Sequence, residues 1–319
     1  MRSSGAPHYN RDVSGLFATP INATTRYCAV YGHPIKHSAS PAMQNAGLAR
    51  LGLNWRYLAF PVHPDQLQAS IAGAAAMQFI GLNLTVPHKL LAVELVDALD
   101  ESARTWGAVN TIRFETQTAD GTWARLADIE EPVIGPIRSH GFNTDADAIV
   151  RALRDDLSLE PRGAAVLLLG AGGAGRTAAL KLASENVREL FLVNRTCAKA
   201  ETLAIEIRQR YPGVKVAVGY PNASVDLVLN ATSLGLHSTD ELPFDGAAFQ
   251  PGRAQAAYDM IYRPAETAFL AAARAAGCRT ANGLGMLLYQ GAAALELWTG
   301  RIPPIDVMRD ALQKNVYGP

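Results

Sequence analysis

Cysteine is scarce in this chain of 319 residues: Cys28, Cys197 and Cys278 are the only three, odd in number and far apart. Such spacing does not frame a disulfide scaffold and suits a reducing compartment, so a cytoplasmic location is expected. Charge imbalance is missing as well. Lys plus Arg number 29 and Asp plus Glu number 29, which leaves no net field to draw a nucleic-acid backbone or an anionic membrane. Neither kind of partner is expected. Unbroken apolar stretches of membrane-spanning length are also wanting. The uncharged runs Gln68–His88 and Thr280–Leu295 are interrupted by Gly, Gln or Asn, and the first also by Pro87. The N-terminus has no apolar core of the kind a signal peptide needs. C-x-x-C spacing is absent and the seven histidines are scattered, so no metal site is expected.

What is present is a large apolar fraction, 49% against 18% charged residues, enough for an ample core. The length suggests about two domains of ordinary size. Residues 1–25 are rich in Ser, Thr, Asn, Gly and Pro and read as a loose extension. Strand patterns at 26–31, 55–60 and 82–86 alternate with helical patterns at 64–77 and 89–99, and Ser40-Pro41 opens another helix. There Ser40 is expected as N-cap and Pro41 as the first helical residue. The alternation predicts an α/β fold with a mostly parallel sheet. A strand is expected at 108–114, turns and irregular loop over 117–140, and a helix at 144–155. A second α/β unit begins after Pro161, and two helices, 285–298 and 306–315, close the chain.

The turn Gly170-Ala171-Gly172-Gly173-Ala174-Gly175 directly follows the apolar strand Ala164–Leu169 and opens a helix. In that setting G-x-G-x-x-G is the dinucleotide fingerprint. The first glycine allows a tight turn, the second lets backbone approach a pyrophosphate, and the third lets helix and strand pack closely. The next strand should end beside the adenosine ribose. An acid there would accept from a 2′-hydroxyl; this chain has Asn194-Arg195-Thr196, with Lys199 one turn on. Arginine grips a 2′-phosphate that an acid would repel, so NADP is expected rather than NAD.

The stretch G-L-N-L-T-V-P-H-K, residues 81–89, brings Asn, Thr and Lys to the carboxyl end of a half-buried strand. Ligands bind beyond such ends in open α/β sheets. Similar turns carry Ser38 and Ser40, whose hydroxyls at a helix start could seat a carboxylate. Asn110 lies in G-A-V-N-T and Asp145 in G-F-N-T-D, while Gln290 sits on an otherwise apolar helix face, where it needs a partner.

With these segments assembled, the sequence resembles the shikimate dehydrogenase family over roughly residues 27–300. G-H-P-I-K-H-S-A-S-P, N-A-T-S-L-G, Y-D-M-I-Y-R-P and N-G-L-G-M-L-L-Y-Q-G complete the set, in the family's order. The resemblance implies an N-terminal α/β substrate-binding domain, residues 26–149 with 286–319, and a Rossmann NADP-binding domain, residues 150–285, with a cleft between. It implies reversible reduction of 3-dehydroshikimate to shikimate, a step of aromatic amino acid biosynthesis, with Lys89 and Asp145 as the catalytic acid–base pair. Ser38 and Ser40 would bind the substrate carboxylate. Thr85, Asn110, Asp145, Tyr262 and Gln290 would hold the ring and its hydroxyls. Gly170, Ala171, Gly172, Gly173, Ala174, Asn194, Arg195, Thr196, Lys199, Met260 and Gly283 would contact NADP, the last pair near the nicotinamide. A homodimer is left open.

Three departures stand out. Asn110 and Asp145 lie 35 positions apart, wider than the family pattern, which places an insertion within 117–140, formed as a hairpin or flap. Ala146 replaces the glycine usual after N-T-D. The extension 1–25 is also unusual. Quinate/shikimate and aminoshikimate dehydrogenase-like paralogues are therefore kept as alternatives, with a non-catalytic NADP-binding regulator as the alternative of another class. Serine at both 38 and 40 leans towards shikimate.

Overall fold

The computed structural model describes residues 20–129, 133 and 135–318; most of the N-terminal extension lies outside them. In chain order the first part comprises β1 (Arg26–Gly32), α1 (Ser40–Arg50), β2 (Trp55–Pro61), α2 (Leu67–Ala76), β3 (Gly81–Leu84), α3 (His88–Leu91), β4 (Ala98–Leu99), α4 (Glu101–Trp106), β5 (Thr111–Gln117), β6 (Trp123–Arg125) and β7 (Ile137–Phe142). The second comprises α5 (Asp145–Leu157), β8 (Ala165–Leu169), α6 (Gly173–Ser184), β9 (Glu189–Val193), α7 (Cys197–Arg210), β10 (Lys215–Val218), β11 (Val225–Asn230), β12 (Ala254–Asp259), α8 (Ala268–Ala275) and β13 (Arg279–Asn282). Helices α9 (Leu284–Thr299) and α10 (Ile305–Tyr317) close the chain.

The second part is all parallel, in the order β10-β9-β8-β11-β12-β13. Numbered along its own chain this reads 3-2-1-4-5-6, the doubly wound order that leaves a crevice where the winding reverses beside the first strand. Strand β8 is buried along its whole length, as a strand covered by helices on both faces must be.

The first sheet runs β2-β1-β3-β5-β7-β4, with β6 paired to β5. It is less parallel than expected: β1, β2 and β3 run together, but β5 is antiparallel to β3, β6 and β7. The reversed strand is β5 itself, since β6 and β7, antiparallel to it, run in the direction of β3. The 117–140 insertion is no irregular loop, because β5 and β6 form a hairpin and β7 returns along β5 from Thr111↔Phe142 to Thr116↔Ile137. Gly135, Pro136 and Gly141 disguise that strand, and its register is set by pairing rather than by an apolar pattern. The helix expected over 89–99 stops at Leu91, because Ala98–Leu99 pairs with His140–Gly141 as β4. The strand expected from Ala108 begins at Thr111, and the helix expected over 64–77 starts with a 3-10 turn at Pro64–Gln66.

Although α9 follows the second sheet, it returns to the first and packs with α10 against α1. Trp298 in α9 is fully buried and donates from Nε1 to the Ile112 carbonyl at 2.9 Å. A side chain at Gly81 would bring its Cβ within 2.0 Å of that indole nitrogen, so close approach of helix and sheet requires glycine there.

Candidate active site

The carboxyl ends of β1 and β3 and the start of α5 face the second sheet across a cavity of about 240 Å³. One wall carries Ser38, Ser40, Asn83, Thr85, Lys89 and Asp145. The other carries Ala174, Met260, Tyr262 and Gly283. Met286, Leu287 and Gln290 of α9 complete the lining.

Lys89 is held from both sides. The backbone N–H of His88 donates to the Thr85 carbonyl at 2.8 Å, starting α3, and the Lys89 carbonyl accepts from the Val109 N–H at 2.8 Å. The His88 ring, fully buried, lies 2.9 Å through Nε2 from the Val62 carbonyl. A carbonyl can only accept, so Nε2 carries the proton and Nδ1 is the unprotonated nitrogen. His88 Nδ1 has no hydrogen-bond partner among the described residues. Burial lowers the His88 pKa, the Val62 carbonyl only partly offsets this, and His33 and His63 add to the lowering.

Asp145 is the first residue of α5, and its carboxylate is not used to cap that helix. Asn143 does this instead: its Oδ1 accepts from the N–H groups of Asp145 (3.1 Å) and Ala146 (3.2 Å). The Asp145 carboxylate is left to take the Lys89 ammonium, Nζ to Oδ2 2.6 Å. Lys89 keeps 30% of its side-chain exposure and Asp145 only 8%, so the ammonium is the member that reaches the cavity.

Ser40 was expected to cap α1, and it does not. It is the first helical residue, Ala39 holds the cap position, and no side chain bonds there. The backbone N–H of Ser40 points to Ser38 Oγ at 3.4 Å. Burial raises the pKa of Tyr262, and the Arg263 charge, followed by the backbone of Ala39, partly offsets this. Gln290 finds the partner it needs in the Leu287 carbonyl, 2.8 Å from Nε2.

Asn110 is the one expected ring-holding residue that does not line the cavity. It is buried one layer back, where Nδ2 donates to Thr144 Oγ1 at 2.9 Å and Oδ1 accepts from the Thr144 N–H at 2.7 Å. Asn83, which the sequence reading did not assign, lines the cavity instead. Its signal was available: a carboxamide between Leu82 and Leu84 on a fully buried strand needs a polar purpose.

Beyond the cavity, the glycine-rich turn joins β8 to α6. Gly170 has φ +104°, and a Cβ on Gly175 would lie 2.1 Å from the Gly170 carbonyl oxygen. Those glycines are demanded by the backbone itself. Gly172 and Gly173 differ: a Cβ on either meets nothing within 4 Å, so their open space is available to a ligand at the N-terminus of α6. Asn194 braces the turn, accepting from the Ala171 N–H at 2.9 Å and donating to the Thr196 carbonyl at 2.8 Å. Arg195, Thr196 and Lys199 are exposed, and neither cation has an ion-pair partner among the described residues. A shallow depression links Ala171 to Lys199. This donor set fits a dinucleotide with a phosphorylated ribose: amides for the pyrophosphate, cations for the 2′-phosphate and no carboxylate at the strand end.

Three family models match the chain: the shikimate dehydrogenase substrate binding domain over residues 30–112, shikimate / quinate 5-dehydrogenase over 154–234, and the shikimate 5'-dehydrogenase C-terminal domain over 283–313. Shikimate dehydrogenase (NADP(+)) of Methanopyrus kandleri is 39% identical over 304 residues, 93% of this chain and 98% of that protein. A crystal structure of a shikimate dehydrogenase in complex with NADP+ superposes with a TM-score of 0.78 at 34% identity, over 93% of this chain and 98% of the other. The Thermus thermophilus shikimate 5-dehydrogenase, in complex with NADP(H) and shikimate, gives a TM-score of 0.74 at 34% identity, over 91% and 99%.

Proposed function

The chain belongs to the shikimate dehydrogenase family, and from that premise we propose that it is an NADP-dependent shikimate dehydrogenase, reversibly reducing 3-dehydroshikimate to shikimate. The observation that carries the reading is the Lys89–Asp145 pair at 2.6 Å in a cavity walled by both halves of the chain. When bound, NADPH supplies the hydride to the ring carbonyl. The developing charge on that carbonyl oxygen is met by the Lys89 ammonium, which donates its proton there; in the reverse direction the neutral amine takes the hydroxyl proton. Asp145 holds Nζ in place and accepts from a neighbouring ring hydroxyl.

Ser38 and Ser40 hold the substrate carboxylate at the opposite end of the wall. Thr85, Tyr262 and Gln290 take the remaining hydroxyls, and Asn110 acts from behind through Thr144. The open backbone at Gly170–Ala174 seats the pyrophosphate, Asn194 to Lys199 the phosphorylated ribose, and Met260 with Gly283 border the nicotinamide. In this reading residues 26–149 with 286–319 form the substrate domain and 150–285 the NADP domain. The packing of α9 and α10 on α1 supports that division. The three cysteines, all free, support a cytoplasmic place of work. As an assembly we propose a homodimer. The outer edge of β2, which pairs only with β1 among the described residues and carries the exposed Leu58, supports it. Sedimentation at several concentrations checks it.

The reading is tested by following nicotinamide absorbance with NADP or NAD against shikimate, quinate and a 5-amino analogue. Turnover with NADP and shikimate is expected to exceed every other pair. Faster turnover of quinate transfers the assignment to the quinate-type paralogue, and no turnover with any pair would favour a cofactor-binding regulator.

A further inference from the structure

Behind the substrate wall lies an unbroken run of buried hydrogen bonds that meets the cavity at Asn83. Tyr57, fully buried in β2, donates from its hydroxyl to Asn83 Oδ1 at 2.8 Å. Asn83 Nδ2 donates onward to Thr111 Oγ1 at 3.0 Å and to the Asn110 carbonyl at 3.3 Å. Thr111 Oγ1 and Thr144 Oγ1 lie 3.2 Å apart, and Thr144 is clasped by the Asn110 carboxamide. Thr144 immediately precedes Asp145. At the other end, burial raises the Tyr57 pKa well above its ordinary value and the Ser40 side chain pulls it part of the way back, which places Ser40 near the phenol. The backbone of Tyr57 is tied to the same helix, because Asn45 of α1 exchanges two bonds with it, both 2.9 Å.

The donor count fixes the roles. Asn83 spends its N–H groups on Thr111 and Asn110, so its Oδ1 depends on the Tyr57 hydroxyl for a donor. The phenol is neutral at any working pH, since burial pushes its pKa far up. Its one proton therefore goes to Asn83. Ser40 and Asn83 both line the cavity; Tyr57 does not.

We propose that Tyr57 is a positioning residue: its hydroxyl sets Asn83 of the cavity wall and, through Thr111 and Thr144, Asp145 at the reacting end, in register with α1, which Asn45 ties to Tyr57 and which begins with Ser40 at the carboxylate end. This rests on the proposed substrate-binding role of Ser40. A rigid buried chain of this kind fixes the span between anchor and acid–base pair, which a ligand of one length must match.

The test uses the full-length protein with saturating NADP and varied shikimate. Tyr57→Phe is expected to raise KM about tenfold, the loss of roughly one well-formed buried hydrogen bond. Its effect on kcat is expected to be several-fold smaller, with NADP affinity unchanged. Ser40→Ala/Tyr57→Phe should have a KM no more than about twofold above the worse single variant, because both changes act on the same anchor. A merely structural role would lower thermal stability and active fraction and leave KM in place. Thr111→Val, fully buried and near-isosteric, serves if Tyr57→Phe does not fold, and should raise KM in the same sense. An unchanged KM in Tyr57→Phe, or in Thr111→Val where that variant serves, overturns the proposal, as do effects that multiply in the double variant. An unchanged KM in Ser40→Ala alone overturns instead the role given to Ser40.

Discussion

Lys89 Nζ and Asp145 Oδ2 stand 2.6 Å apart although 56 residues separate them in the chain, and the two backbones are joined by a short buried path. The Lys89 carbonyl accepts from Val109, the next residue is Asn110, and Asn110 clasps Thr144 beside Asp145. Geometry of this quality makes the ammonium the group whose loss matters most. Lys89→Ala is expected to lower kcat by two to four orders of magnitude while leaving thermal unfolding and NADP affinity near wild type. Steady-state rates beside a cofactor titration decide it, and wild-type turnover would remove Lys89 from the mechanism.

The glycine-rich turn separates two kinds of demand that a sequence pattern merges. Gly175→Ala should destabilise the fold by about 1–3 kcal/mol, since its Cβ would lie 2.1 Å from the Gly170 carbonyl oxygen. Gly172→Ala should leave the melting temperature within a degree or two and weaken NADP binding at least several-fold, because the methyl enters space the pyrophosphate needs. Melting curves with and without NADP distinguish the two.

Arg195 is exposed and lacks an ion-pair partner among the described residues, so its replacement should be silent for folding and loud for cofactor choice. Arg195→Asp removes a charge-assisted contact worth about 1.5–3 kcal/mol and adds a repulsion. The ratio of kcat/KM for NADP over NAD is expected to fall by at least tenfold to a hundredfold. An unchanged ratio would shift the 2′-phosphate away from this strand end.

Two buried groups bound the pH range of the fold from the acid side. His88 has its pKa lowered from 6.5, mainly by burial, so its contribution is fully present above that value and is lost as the medium acidifies towards the folded-state pKa. Glu115 acts lower. Burial pushes its carboxyl up, but hydrogen bonds from His140, Arg113 and Arg138 overturn this and bring it down from 4.5 to about 2. Its contribution, on the order of 3 kcal/mol, is present above about pH 4.5 and disappears as pH falls through about 2. Urea midpoints between pH 7.5 and 5 should therefore fall in the wild type, and fall less in His88→Gln, which can keep a donor near Val62. Equal slopes in the two proteins would clear His88. Glu115→Gln should lower the urea midpoint at pH 7 and flatten its fall between pH 4.5 and 2.

Much of this was legible in the residues alone. The G-x-G-x-x-G turn declared β8 and α6 because its glycines answer to backbone geometry, which is local. Lys89, Ser38 and Ser40 stood at strand ends where α/β sheets bind ligands. The strand β7 stayed hidden, because I-R-S-H-G-F carries its polar face in Arg138 and His140, whose partner Glu115 lies far off in sequence. The same holds for Asn110, which reads as a ligand contact but is placed one layer behind the cavity, and for Tyr57, which reads as an ordinary aromatic of an apolar strand. Only pairing between distant segments reveals either.

The return of α9 to the first sheet has one more consequence, for synthesis. Residues 26–142 leave the ribosome with the face of α1 that holds Met43 and Gly47 still bare, and about 150 further residues must follow before Gly291 and Leu295 can cover it. Gln290 arrives on that same helix. A nascent chain therefore cannot acquire a finished pocket before its last two helices have emerged, and a product halted short of them carries a greasy, adhesive surface instead of a working one.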